Sequence, residues 1–240
     1  MPENTSSNRA RNATVTPDGN PPPDDPPGNA SGNPPAHAPA AAPKPSRTLH
    51  YNAAHHISAH AAADPYLRPA FSLRNRLLRA SWNLVWLLLY RPSPRPLHAW
   101  RSFLLRLFGA KLGPNCFFYP KSRIWAPWNL TCGDLVTAAD DSEIYNPAPI
   151  TLGSHSILSQ AAYLCGATHD YDDPAFPLLA YPMHIGAYAW VCARASVAPG
   201  VNLGDGAVLG LGSVATRDLE PWTVYAGSPA IKIKPRARTT

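Results

Sequence analysis

Apolar residues recur every six positions along the C-terminal half of the chain. In the segment 185–213 they stand at Ile185, Val191, Val197, Leu203 and Leu209, and each is followed four residues later by a small or β-branched residue. This double mark fits neither the 3.6-residue period of an amphipathic helix nor the simple alternation of a strand. A period of six predicts a parallel β-helix, in which each hexad forms one flat wall of a triangular coil.

The same pattern extends upstream with interruptions. Its first apolar marks are Leu112, Phe118, Ile124, Leu130 and Val136. The next mark is Leu152, four residues later than two hexads would place it, so we expect a small excursion near residues 145–147. Leu164 and Ile185 are separated by three residues more than a whole coil. Because residues 169–184 combine acids, aromatics and prolines, we expect them to leave the wall as a shaped loop.

Two helices are predicted before the triangular β-helix, which we call the prism. Residues 71–90 contain no Gly or Pro and end before Pro92, and residues 97–108 form a second, amphipathic pattern. The apolar run from Trp82 to Tyr90 is too short to cross a bilayer, which needs about 20 residues. The helices therefore either cover one end of the prism or the seam between subunits, or lie in a membrane interface through residues 71–108.

Composition separates the N-terminal 65 residues from the rest. They are rich in Pro and Ala and poor in large apolar groups, which predicts disorder. The predicted organisation is a tail at 1–65, a helical pair at 66–110 and a β-helix domain at 111–236. The net charge of +6 comes from outside the tail and suits an anionic ligand, an acidic membrane or simply a basic soluble surface.

The N-terminus and the cysteines bear on location. The first residues contain no apolar signal-peptide core, and the four cysteines show no Cys-x-x-Cys spacing. We expect a cytoplasmic protein with reduced thiols, with peripheral contact at the inner membrane as an additional possibility. Neither a metal nor a nucleic-acid partner is expected.

Several motifs resemble the hexapeptide-repeat sugar O-acetyltransferases. They are CGATHDYDDPAFPL at 165–178, IGAYAWV at 185–191, VAPGVNLGDGAVLGLGSVATRD at 197–218 and PWTVYAGSPA at 221–230. The segments FSLRNRLLR at 71–79 and RPSPRPLHAWR at 91–101 resemble the colanic acid biosynthesis acetyltransferase type in particular. The resemblance implies an all-β fold: a left-handed parallel β-helix of hexapeptide repeats, preceded by two helices and a disordered tail. It also implies a homotrimer.

The resemblance makes His169, at the root of the excursion loop, the general base. A neutral imidazole can remove the proton of a sugar hydroxyl as that hydroxyl attacks the thioester of acetyl-CoA, without an acyl-enzyme. His155 and His184 are rival histidines. Asp170 is a candidate for orienting the imidazole.

The resemblance also suggests ligand contacts. The candidate acceptor-binding residues are Tyr145, Asn146, Asp170 and Tyr171, with Trp125 as a further aromatic that could stack on a sugar. The candidate acetyl-CoA residues are Trp190, Ala193, Leu211, Gly212, Ser213, Thr216, Arg217, Lys232 and Lys234, with Arg236 as a further cation for the phosphates.

The leading hypothesis is thus an acetyl-CoA-dependent O-acetyltransferase acting on a sugar hydroxyl of an exopolysaccharide repeat unit or precursor. Two alternatives remain open. One is a γ-carbonic-anhydrase-like enzyme, which would need a metal held by histidines such as His155, His169 and His184. The other is a non-catalytic trimeric scaffold of a polysaccharide assembly complex.

Overall fold

Three walls of short parallel strands build a triangular prism. The structure is a computed structural model that describes residues 55–56 and 70–238, so the predicted tail lies outside the described residues except at 55–56. Wall 1 consists of β2 (Lys111–Leu112), β5 (Leu130–Cys132), β8 (Ile150–Leu152) and β13 (Met183–Ile185). Wall 2 consists of β3 (Phe117–Phe118), β6 (Thr137–Ala138), β9 (Ile157–Leu158), β14 (Trp190–Val191), β16 (Val208–Leu209) and β18 (Thr223–Gly227). Wall 3 consists of β4 (Arg123–Ile124), β7 (Glu143–Tyr145), β10 (Tyr163–Cys165), β15 (Ser196–Val197) and β17 (Val214–Ala215).

The strand register corrects the predicted phase of the early coils. Leu112 pairs with Cys132, and Cys132 pairs with Leu152, so each of these coils takes 20 residues rather than 18. The extra residues therefore enter at two successive corners, one of them the 3₁₀ turn Pro127–Asn129, and not only near residue 146. The hexad count predicts Leu130 as the apolar mark of wall 1 in the second coil, whereas the register selects Cys132. The two are hard to distinguish because Leu130 and Cys132 both face inward, with Thr131 exposed between them.

The prism interior is filled by one apolar side chain per wall and per coil. The third coil contributes Leu152, Leu158 and Leu164, all fully buried. Two of the three corners turn through residues with positive φ in successive coils, and the third does so at Gly200. One corner stacks Leu135, His155, Tyr188, Gly206 and Trp222, and the other stacks Asp141, Ala161, Arg194 and Gly212. A Cβ on Gly206 would come within 2.5 Å of the Trp222 ring, so this position requires glycine for space as well as for φ.

The first coil has a free edge of carbonyl groups. Bonds between coils run in both directions: Phe117 donates from its N–H to the Val136 carbonyl of the second coil, and Leu135 of the second coil donates back to the Pro114 carbonyl. The carbonyl groups of the first coil that face away from the second coil have no further coil to bond with. An unpaired edge of this kind needs a cap.

The predicted helices supply that cap on wall 3. Helix α1 spans Leu73–Val85 and continues as a π-helical turn, Trp86–Tyr90. Trp82 donates from Nε1 to the Ile124 carbonyl at 2.7 Å, and Trp86 donates from Nε1 to the Ser122 carbonyl at 3.0 Å. One side of α1 is thus packed against the end of the prism.

Helix α2, His98–Leu107, caps the other two walls. Arg101 is fully buried and donates from Nε to the Phe118 carbonyl of wall 2. Arg106 is exposed and donates to the Leu112 carbonyl of wall 1 at 3.2 Å. The helical pair therefore covers the N-terminal end of the prism, as one of the two sequence interpretations proposed.

The remaining strands extend the prism at its edges. Strand β19 (Ala230–Pro235) pairs antiparallel with β18. Strand β1 (His55–His56) pairs antiparallel with β12 (Leu178–Ala180). Within 70–238 we find no helix long and apolar enough to span a bilayer.

Candidate active site

The excursion loop is a β-hairpin that leaves the prism between walls 3 and 1. Strand β11 (Ala167–His169) pairs antiparallel with β12, with Ala167 opposite Ala180 and His169 opposite Leu178. The chain re-enters wall 1 at Met183 in β13. His169 therefore stands where the paired part of the hairpin ends, which fixes its backbone while its side chain remains exposed.

The His169 imidazole is held by Phe176. The two rings are stacked, with centroids 4.4 Å apart and planes 11° from parallel. His169 Nδ1 lies 3.0 Å from the Phe176 carbonyl oxygen. Because a carbonyl only accepts hydrogen bonds, Nδ1 must carry the proton, so in the neutral ring Nε2 holds the lone pair. The basic nitrogen, Nε2, is therefore the one that does not bond to the Phe176 carbonyl.

Asp170 does not orient the imidazole in this structure. Its carboxylate accepts a hydrogen bond from the Asp172 backbone N–H at 3.1 Å, and Asp173 accepts one from Ala175 at 2.8 Å. These Asx turns shape the tip of the loop. The orienting group is a backbone carbonyl, which leaves no signal in the sequence. Tyr171, at the tip, is 80% exposed.

Tyr145 and Trp125 form an aromatic cluster beside the hairpin. Their ring centroids are 5.4 Å apart in a T-shaped contact, and Phe71 packs on Trp125 at 5.0 Å. The guanidinium of Arg79 lies 4.3 Å from the Trp125 ring centroid. Tyr145 also packs against the small apolar cluster that includes Leu178, and burial raises the pKa of its phenol. The cluster ties α1 to wall 3 and the hairpin.

Asn146 takes a structural position. It is fully buried, its Oδ1 accepts a hydrogen bond from the Ala126 backbone N–H at 2.9 Å, and its Nδ2 donates to the Ala126 carbonyl at 2.8 Å. Both ends of the carboxamide are therefore engaged within the protomer, where they fix the extra corner residues of two adjacent coils. A direct contact of Asn146 with the acceptor stays a prediction, and an acceptor hydroxyl would have to compete with these bonds.

Four of the residues assigned to acetyl-CoA, Ala193, Leu211, Gly212 and Ser213, lie at the corner between walls 2 and 3. Gly212 donates from its backbone N–H to the Ala193 carbonyl at 3.0 Å, and Leu211 beside it is 75% exposed. A Cβ on Gly212 would meet no atom within 4 Å. The space around Gly212 is consequently open, and the exposed large side chains at this corner include Leu211 and Arg194. Trp190 lies on the adjacent wall 2 and donates from Nε1 to Ser159 Oγ at 2.8 Å.

Other members of the predicted cofactor set differ in accessibility. Ser213 is buried and its Oγ accepts a hydrogen bond from the Gly227 backbone N–H at 3.0 Å, so it supports the corner from within. Thr216 is half-buried and Arg217 exposed, both directly after β17 of wall 3.

The C-terminal cations are also unequal. Lys232 is paired with Glu220, and this hydrogen bond raises the pKa of the lysine. Arg236 donates to the carbonyl groups of Tyr188 at 2.8 Å and Gly206 at 3.0 Å, which anchors the end of the chain. Lys234 is exposed on β19. Glu220 thus occupies Lys232, and backbone carbonyl groups occupy Arg236. Among the described residues Lys234 has no ion pair.

A single protomer does not bring His169 to the corner of Ala193 and Gly212. The hairpin that carries His169 leaves at the corner between walls 3 and 1, whereas Gly212 lies at the corner between walls 2 and 3. The width of wall 3 separates these two corners.

The rival histidines have other surroundings. His155 stacks on Tyr188 with ring centroids 4.6 Å apart, at a prism corner. His184 is exposed on β13 of wall 1. Across the part of the chain that the structure describes, no group of three His, Cys, Asp or Glu side chains is placed to hold a metal ion.

Comparison with known proteins places this geometry in context. No family model matches the chain. The chain is 42% identical over 158 residues to a protein of Escherichia coli K12 named as colanic acid biosynthesis acetyltransferase WcaF, an alignment that covers 66% of this chain and 87% of the relative.

Solved structures show the same fold. A hexapeptide-repeat acetyltransferase of Vibrio cholerae, solved in complex with acetyl-CoA, superposes with a TM-score of 0.63 at 24% identity and covers 71% of this chain and 93% of its own. A galactoside acetyltransferase, solved in complex with coenzyme A, superposes with a TM-score of 0.64 at 22% identity. The superposition covers 69% of this chain and 84% of the galactoside acetyltransferase. The prism is thus the left-handed parallel β-helix of this class of structures, as predicted.

Proposed function

The chain belongs to the family of the colanic acid biosynthesis acetyltransferases, and from this premise we propose that it transfers an acetyl group from acetyl-CoA to a sugar hydroxyl of an exopolysaccharide repeat unit or its precursor. The observation that carries the proposal is the His169–Phe176 pair. It fixes the tautomer of an exposed imidazole, and a general base needs such a fixed, accessible lone pair.

The proposed reaction is a direct transfer. His169 Nε2 accepts the proton of the acceptor hydroxyl while the hydroxyl oxygen bonds to the thioester carbonyl carbon. The resulting tetrahedral intermediate collapses as its carbon–sulfur bond breaks. The imidazolium then returns its proton to the departing thiolate, which leaves as the free thiol of CoA and restores the neutral base. General base catalysis of this kind contributes a factor of about 10²–10⁴.

We assign the acetyl-CoA side of the site to the corner of Ala193 and Gly212. Side chains that are small or absent allow an extended pantetheine arm to approach the backbone there. Of the predicted cofactor residues, Arg217 and Lys234 are exposed cations without an ion pair among the described residues, and they suit the phosphates. Lys232 is a weaker candidate because Glu220 already neutralises it.

We further propose that the enzyme is a homotrimer whose active sites lie between subunits. Within one protomer, wall 3 separates His169 from the corner of Gly212. A neighbouring prism packed in parallel could present its Gly212 corner to His169, so that each site takes its base from one subunit and its cofactor residues from the next.

The test is release of CoA thiol from acetyl-CoA in the presence of candidate sugar acceptors. We expect His169→Ala to fold normally and to lose activity by about 10²–10⁴-fold. The matched control is His155→Asn, because His155 has a φ of +62°, which asparagine tolerates, and lies at another corner. An unimpaired His169→Ala enzyme would exclude the proposed base. A protein that releases no CoA with any acceptor would favour the scaffold alternative.

A further inference from the structure

Helix α1 has a second apolar face that the prism does not use. Its inner face packs on the prism through Trp82, Trp86 and Tyr90. On the opposite side stand four leucines that are 57–66% exposed: Leu73, Leu77, Leu84 and Leu88. Their spacing of four, seven and four residues places them on one side of the helix. We refer to these four residues as the outer leucine face.

Helix α2 presents exposed apolar residues as well. Trp100, Phe103 and Leu107 are 38–68% exposed and stand three and four residues apart. Trp100 stacks on Phe103 at 5.8 Å, and its Nε1 donates to the Leu89 carbonyl at 3.0 Å. That bond joins the exposed side of α2 to the C-terminal end of the α1 segment.

These exposed apolar residues are grouped on the two helices and are not scattered singly over the surface. Soluble monomers rarely expose contiguous apolar patches beyond a few hundred Å², and larger ones mark contact with a partner or a membrane. The capping of the prism does not account for the outer leucine face, because the capping bonds come from the inner side of α1 and from His98, Arg101 and Arg106 of α2.

The charges around this surface have one sign. Residues 71–108 contain seven arginines and no Asp or Glu. Arg74 and Arg76 are exposed in the first turns of α1, and Arg91 is exposed after its end. An apolar face bordered by arginine and tryptophan matches the interface of a bilayer that contains anionic lipids.

We propose that the outer leucine face docks on the surface of an anionic lipid bilayer, with α1 lying in the plane of the interface. The alternative occupant is the same face of a second copy. That arrangement would bring arginines of both copies together, with no carboxylate in 71–108 to offset their repulsion. Charge complementarity therefore favours the lipid surface, and each leucine would add apolar burial to the electrostatic attraction.

The experiment is co-sedimentation of the full chain with phosphatidylcholine vesicles, with and without phosphatidylglycerol. We expect binding that requires phosphatidylglycerol and weakens as salt is raised. The double variant Leu77→Ser/Leu84→Ser should bind at least about tenfold more weakly, because two apolar anchors are lost. The control Leu135→Ser/Ile157→Ser removes two exposed apolar residues of the prism and should bind like the parent.

Three results would overturn the proposal. They are absence of binding to phosphatidylglycerol vesicles at low salt, equal loss of binding in both double variants, and a lower molar mass in solution for Leu77→Ser/Leu84→Ser than for the parent. The last result would show that the outer leucine face contacts a second copy of the chain. Acetyl transfer to a soluble acceptor, measured on the same preparations, reports separately on the proposed enzymatic function.

Discussion

Replacing Arg101 with methionine should loosen the first coil of the prism and leave the later coils intact. Arg101 is fully buried, and its guanidinium donates to the Phe118 carbonyl, to Ser93 Oγ at 2.8 Å and to the Pro94 carbonyl at 2.9 Å. Burial lowers the pKa of this arginine. Methionine would fill much of the volume but supply no donor, so the Phe118 carbonyl would lose the charged one of its two partners and keep His98, whose Nδ1 lies 2.9 Å away.

The magnitude follows from the lost bonds of a charged donor. A hydrogen bond from a charged group contributes about 1.5–3 kcal/mol, and water can replace the arginine at the more exposed Pro94 carbonyl. Some of the loss is offset because His98 still donates to the Phe118 carbonyl and because the guanidinium no longer needs to be desolvated. We therefore expect about 1–2 kcal/mol, which is about a 5- to 30-fold increase in local opening.

The matched control is Arg106→Met. Arg106 lies on the same helix and also donates to first-coil carbonyl groups, those of Leu112 at 3.2 Å and Gly113 at 3.0 Å. Its side chain is exposed, so water can take over its bonds, and we expect a change within about 0.5 kcal/mol.

Amide hydrogen exchange measures the effect at individual sites. The Phe117 and Arg123 amides, which donate from the first coil to the second, should exchange faster in Arg101→Met. The Trp190 and Cys192 amides, in a later coil, should be unchanged because contacts in a solenoid are with neighbouring coils. Equal acceleration along the whole prism, or the same effect in Arg106→Met, would refute the capping role.

Two further predictions concern the prism itself. Gly206→Ala should destabilise more than Gly212→Ala in thermal melts, because φ is near +65° at both positions but only Gly206 lies against the Trp222 ring; equal losses would show that the backbone alone decides. Burial raises the pKa of the Cys132 thiol, so the folded protein keeps this proton to higher pH than the unfolded chain does. Stability should therefore fall as pH rises above about 8.5, and Cys132→Ala should flatten the melting temperature between neutral and alkaline pH.

Local repetition explains why much of the architecture was predictable. Val191 and Val197 recur at the spacing of a wall because every regular coil imposes the same demand on the chain. The same regularity located the hairpin, since His169 opens the segment that breaks the count. The helices could likewise be placed, because Pro92 ends one apolar pattern and a second follows. Those features depend on residues close together in sequence.

The phase of the early coils could not be read in this way. Leu130 and Cys132 both face inward, so either one could serve as the apolar mark, and only pairing with neighbouring strands selects Cys132. The burial of Asn146 could not be predicted for a related reason. Its burial against Ala126 depends on how two successive corners meet, which no single hexad records.

The sequence by itself thus determined the prism, its interruption at the hairpin and the presence of the two helices, because a repeat period and its breaks are properties of neighbouring residues. Only the tertiary structure decided that the Phe176 carbonyl fixes the His169 tautomer and that Trp82 and Arg101 close the first coil. These contacts join a side chain to a backbone carbonyl elsewhere in the chain. Since every residue type carries that carbonyl, composition and spacing cannot reveal which one is used.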